Sequence, residues 1–177
     1  FLLVHVMEPH ADYDAPAPFQ GRFTADLPHT LDLPMGDAMV DHLILGTQEI
    51  SEEDREYIRR AYDEEVLTTD AALGTLIDTL KQRPGWNEMR LLITSDHGEE
   101  FLDHGLVGHF NQLYPESIHV PLLFWGPGVP AGRVLDFPVE NRHLASTLLH
   151  LAGITPPTTI IIMAMRRLRS WRLWALP

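Results

Sequence analysis

The 177-residue chain contains no cysteine, so no disulfide is available and cysteine usage says nothing about redox compartment. Basic residues are scarce: 13 Lys and Arg stand against 25 Asp and Glu, a formal charge of −12. A nucleic-acid partner is not expected, because neutralising phosphates needs a basic surface. No apolar run approaches the roughly 20 residues of a membrane-spanning helix, so no transmembrane segment is expected. Neither an initiator methionine nor a signal-peptide pattern stands at Phe1, which falls directly inside an apolar run. The chain therefore reads as a fragment whose N-terminal half lies upstream. Nothing in the composition assigns a compartment or an oligomeric state. What is present, 45% hydrophobic and 21% charged residues, is the composition of an ordinary globular domain long enough to bury a sizeable core.

Along the chain, Phe1 to Met7 is expected as a buried strand, ended by Glu8-Pro9-His10 because Pro9 cannot donate to a ladder. From Asp14 to Gly36 the prolines Pro16, Pro18, Pro28 and Pro34, with no sustained period, indicate an irregular loop walling a cleft near His10. Ala38 to Ile50 is ambiguous, with a short helix around Met39 to Leu45 as one reading. Ser51-Glu52-Glu53-Asp54 has the pattern of a capped helix start. Tyr57, Ile58, Ala61, Tyr62, Leu73, Leu76, Ile77 and Leu80 continue it as an apolar stripe that stops before Arg83-Pro84-Gly85. Its tyrosines are expected in the core and its carboxylates on a solvated face. Ile118 to Trp125 reads as a second buried strand, Arg133 to Val139 as an edge strand, and Asn141 to Leu151 as a helix closed by Gly153.

The chemistry concentrates between these elements. Leu91-Leu92-Ile93-Thr94 suits a strand buried on both faces of a parallel sheet, and it breaks into Ser95-Asp96-His97-Gly98-Glu99-Glu100. Ligands of open α/β sheets lie beyond the carboxyl ends of strands, where Asp96 and His97 project. A hard carboxylate beside an imidazole there suits half of a divalent-metal site, with a plain N-cap aspartate as the alternative. Gly98 permits a sharp turn. Glu99 and Glu100 are read either as orienting His97 or as solvated.

Taken together, Ser95-Asp96-His97-Gly98-Glu99-Glu100, His104-Gly105, Gly108-His109, Leu113-Tyr114, Ile118-His119-Val120-Pro121-Leu122-Leu123 and Gly126-Pro127-Gly128-Val129 resemble the metal-binding segment of sulfatases, in the alkaline phosphatase superfamily. The resemblance extends back through Pro9-His10 and Tyr13 and covers residues 1–157. It implies an alkaline-phosphatase-like α/β fold, incomplete here, with a mostly parallel or mixed sheet between helices. It also implies the C-terminal part of a catalytic domain that hydrolyses sulfuric esters. By the family pattern His10 and His109 are the catalytic candidates, facing the sulfate or its leaving oxygen. Asp96 and His97 are the metal ligands, with calcium foremost and manganese or zinc as alternatives. His143 and Ser146 stand where the family usually has aspartate and proline, changes expected to be structural.

The nucleophile is missing. Sulfatases convert a cysteine or serine in a Cys/Ser-x-Pro-x-Arg motif to formylglycine, and this sequence has neither form of it. Formylglycine is thus expected only in the missing N-terminal half, which would be the partner of this segment, and the isolated chain is expected to be inactive. Two rival readings stay open: a phosphodiesterase or phosphonate monoester hydrolase of the same superfamily, and a non-catalytic fragment that at most binds metal or a partner. Residues 158–177, basic and apolar around Arg166, Arg167, Arg169 and Arg172, form a tail of uncertain origin outside the resemblance.

Overall fold

The computed structural model describes residues 1–34, 41–43, 45–47, 49–109 and 113–155. The tail from 158 onward, and most of the short helix expected around Met39 to Leu45, lie outside the described residues; 41–43 form a helical turn. The chain divides into two compact units, Phe1–Arg83 with His97–His119, and Pro84–Asp96 with Val120–Pro177.

The first unit is built on helix α1, Glu52–Lys81. Ser51 caps it as its sequence predicts, the hydroxyl oxygen accepting from the Asp54 amide at 3.0 Å. Ile58 and Ala61 of its buried face pack with Tyr13, Leu31, Leu43, Phe101 and Val107 into one core, and Tyr57, also buried, stacks on His29. The expectation of a solvated acidic face fails here. Asp54, Glu64 and Glu65 are 4%, 3% and 4% exposed. Two of them are buried because they satisfy the backbone of the proline-rich loop. Glu64 accepts from the amides of Gly21, Phe23 and Thr24 and from the Thr24 hydroxyl. Asp54 accepts from the amide and hydroxyl of Thr30 and from the Leu31 amide. An irregular segment cannot bond to itself as a helix does, so it can be buried only where side chains take up its amides. Burial alone would raise the Asp54 carboxyl; the bonds from Thr30, Ser51 and Leu31 more than reverse this and hold it below the usual aspartate range.

A small hairpin completes this unit, with β2 at Glu100–Phe101 antiparallel to β3 at Val107–Gly108. Arg55 of α1 ties it down, donating to the Phe101 carbonyl at 2.7 Å and to Asp103 at 2.8 Å. Helix α2, Pro115–Ile118, follows, replacing the start of the strand expected from Ile118. Phe1 to Met7 is not the expected strand. It has no regular secondary structure and no ladder partner among the described residues, and Phe1, Leu3 and Met7 are 106%, 78% and 64% exposed.

In the second unit β1, Leu91–Thr94, pairs antiparallel with β4, Leu122–Trp125, in the register Leu91↔Trp125 to Thr94↔Leu122. The strands are half-buried, Phe124 fully so. Gly126 follows at φ +125°, where a Cβ would collide with the Met89 carbonyl. Helix α3, Leu144–Leu151, has the predicted ending: Gly153 at φ +74° donates to the His150 carbonyl and Ile154 to that of Leu149, the Schellman pattern. Residues 133–139 form no edge strand. The α/β class expected from sequence holds, but both strand pairs among the described residues are antiparallel. Among those residues no helix is long and apolar enough to cross a membrane.

Candidate functional site

Asp96 leaves the end of β1 as the last residue of the second unit's first segment, exposed, with the Ser95 hydroxyl 3.4 Å from its Oδ1. The Asn141 side chain donates to the Ser95 carbonyl at 3.0 Å and fixes that strand end. His97, joined to Asp96 by a peptide bond, begins the returning segment of the first unit.

Gly98 then binds α2 closely. Its amide donates to the Ser117 carbonyl at 2.8 Å, and a Cβ would lie on the Glu116 carbonyl. The need for glycine here is close backbone approach, since its φ is not in the left-handed region.

Three of the four site residues anticipated from sequence meet in the first unit. His97 and His109 stack with ring centroids 3.7 Å apart at 20°, and His10 meets the edge of His109 at 5.5 Å and 67°. Each ring has a polar neighbour on Nδ1: the Gly98 carbonyl for His97, the Ala11 carbonyl for His10, and Glu99 Oε1 at 3.1 Å for His109. The Glu99 side chain is only 5% exposed and that of His109 13%.

Glu99 also lies near enough to Tyr13, which is 2% exposed, for its charge to act on the phenol. Burial, then the negative Glu99, keep the Tyr13 phenol protonated far above its ordinary range. Tyr13 itself is wedged between Tyr62 and Phe101, centroids 5.9 and 6.1 Å away. Glu99 thus pairs with His109, whereas Glu100, fully buried, accepts from the His104 amide at 2.9 Å. His104 stacks on Tyr114 and pairs with Glu116, a hairpin-to-α2 contact at the surface.

Sequence reasoning did not single out Tyr13 and Glu99 as neighbours. Tyr13 is visible in the Pro-His-x-x-Tyr spacing, but nothing in the sequence says that Glu99 lies near it.

The sulfatase family model matches residues 1–154. The chain belongs to the sulfatase family. It is 35% identical over 104 residues to arylsulfatase K of Danio rerio, covering 59% of this chain and 20% of that protein. It is 36% identical over 107 residues to choline-sulfatase of Rhizobium meliloti, covering 60% of this chain and 20% of the relative. The chain therefore spans about a fifth of the length of these curated relatives. Among solved structures, a phosphonate monoester hydrolase from Silicibacter pomeroyi is similar with TM-score 0.71 at 24% identity, over 93% of this chain and 37% of that one. That likeness establishes the alkaline-phosphatase-like fold.

Sulfatases generally use a divalent metal. Among the described residues of this sulfatase segment, no group of three or more His, Asp or Glu side chains has the arrangement of a metal site. The donor chemistry of Asp96 and His97 suits such an ion, but two donors do not make a shell of the six or so ligands that a hard cation takes.

Proposed function

We propose that this segment is the C-terminal part of the catalytic domain of a metal-dependent sulfuric ester hydrolase. The observation that supports it most is the cluster of His10 and His97 against His109, itself paired with buried Glu99, inside the stretch matched by the family. In this reading His10 and His109 face the bound ester. An imidazole nitrogen there donates a hydrogen bond to a non-bridging sulfate oxygen or delivers a proton to the departing oxygen.

The half-buried setting of His109 strengthens such a bond by excluding competing water. Asp96 and His97 would hold the metal together with groups outside this chain, calcium foremost and manganese or zinc as alternatives. When bound, the ion supplies charge neutralisation for the anionic group. The attacking group, a formylglycine by the family pattern, would also come from outside these 177 residues.

A second reading is supported by one observation, the TM-score of 0.71 to a phosphonate monoester hydrolase. Likeness of fold carries no substrate class, whereas the curated relatives matched at 35% and 36% identity are sulfatases, so we favour the sulfate ester. Assay of the protein carrying this segment at full length on aryl sulfate and aryl phosphonate monoester decides between them. Preferential, metal-dependent turnover of the sulfate is expected. Preference for the phosphonate would reverse the assignment, and turnover of neither would leave a non-catalytic binding segment.

A further inference from the structure

We propose that Glu99 is the positioning residue for His109, fixing its tautomer so that Nε2 is the basic nitrogen of the neutral ring. The inference deepens the reading of His109 above and rests on it. An ionised carboxylate only accepts hydrogen bonds, so the hydrogen in the 3.1 Å contact between Glu99 Oε1 and His109 Nδ1 sits on the imidazole. The neutral ring then carries its lone pair on Nε2, and the protonated ring offers its second N–H there.

The contact is built to persist. The Glu99 side chain is 5% exposed, and a carboxylate so buried must be compensated by hydrogen bonds. The His109 N–H supplies one, and the buried Tyr13 phenol lies within electrostatic reach of the carboxylate. Tyr13 is also one of two described non-glycine residues at positive φ, +54°, a backbone state that persists where surroundings impose it. Its ring packs against Tyr62 and Phe101 in the core. The His109 ring cannot swing away easily either, since His97 lies flat against it at 3.7 Å. Glu99 and His97 therefore hold the His109 ring from two sides.

The test uses the full-length protein on aryl sulfate. Glu99→Ala should lower kcat on the order of tenfold to a hundredfold with KM little changed, the usual loss when an orienting partner of a functional imidazole is removed. Glu99→Gln, whose amide oxygen still accepts from Nδ1, should recover most of it. Added to His109→Ala, Glu99→Ala should cost nothing further, because its effect passes through that ring. Nitrogen NMR of histidine-labelled protein should show neutral His109 protonated on Nδ1 in the wild type, with that preference lost in Glu99→Ala. A wild-type rate in His109→Ala would remove the catalytic reading itself. A slow His109→Ala enzyme with a wild-type Glu99→Ala rate would overturn the positioning role alone. So would an additive loss in the double variant, or a wild-type His109 protonated on Nε2; this last measurement decides even if Glu99→Ala fails to fold.

Discussion

The two units hold their candidate residues by different physics. In the second unit, the strand end bearing Asp96 is set by backbone: the β1–β4 ladder, the approach of Gly126 to Met89, and one amide bond from Asn141 to Ser95. In the first unit, the proline-rich loop and His109 are set by buried carboxylates: Glu64 and Asp54 on the loop, Glu99 on His109. Backbone pairing is indifferent to most side-chain exchanges and intolerant of added bulk at its glycines. Carboxylate latches are the reverse, since deleting one side chain strands several donors at once.

The sharpest way to probe this contrast is at the site itself, in the full-length protein. Asp96→Ala should nearly abolish turnover, on the order of a thousandfold or more, and lower divalent-metal content, because it removes a charged ligand from a cation that stabilises the transition state. Metal analysis beside kinetics checks this, and retained metal with retained rate would refute the ligand assignment. His109→Ala and His10→Ala should each slow the chemical step roughly a hundredfold while metal content stays, as expected for loss of a proton donor or anion partner. Equal metal loss in these variants would instead move the imidazoles into the metal shell.

Smaller effects should fall on stability, and each on its own unit. Glu64→Ala should destabilise by about 3 kcal/mol, having left three amides and a hydroxyl without their acceptor. Hydrogen exchange should rise at residues 21–24 and not in the β1–β4 ladder. Gly126→Ala should cost a similar amount, roughly 3 kcal/mol, through the clash with Met89 and the positive φ. Exchange should then rise in the ladder and not in the loop. Matching exchange patterns in the two variants would erase the distinction between the units.

The smallest expected effect separates two carboxylates of one helix by pH. The Asp54 carboxyl is lowered, so its contribution is present above the unfolded value of about 3.9 and is lost as pH falls through the lower folded value. Glu65 is raised, by burial first and then by the negative charges of Glu8 and Asp14, and its Oε2 has no hydrogen-bond partner. Its contribution is present below the unfolded value of about 4.3 and is lost as pH rises through the higher folded one. Urea midpoints across this range should lose their acid-side fall in Asp54→Asn and their decline at higher pH in Glu65→Gln. The same pH response in both variants would contradict the opposite shifts.

Much of the scaffold is local and therefore written in the sequence. The stripe of α1, its Ser51 cap and its stop before Pro84-Gly85 depend on residues a few positions apart. So do the apolar run of β1 and the glycine ending of α3. The site residues His10, Asp96, His97 and His109 stood out because their spacing matches a family pattern; that three of their rings meet needed the fold.

What the sequence misjudged depended on partners far along the chain. Phe1 to Met7 and Leu91 to Thr94 are both apolar runs, yet only the second finds a strand to pair with, and a strand without a partner leaves its amides unpaired. Glu64 looked like any solvated helix acid until the amides of Gly21, Phe23 and Thr24, more than 40 positions away for two of the three, turned it inward. Periodicity reports which face of an element is apolar. Whether a carboxylate on that element is buried is decided by which orphaned amides the rest of the chain delivers to it, and only the tertiary structure brings those together.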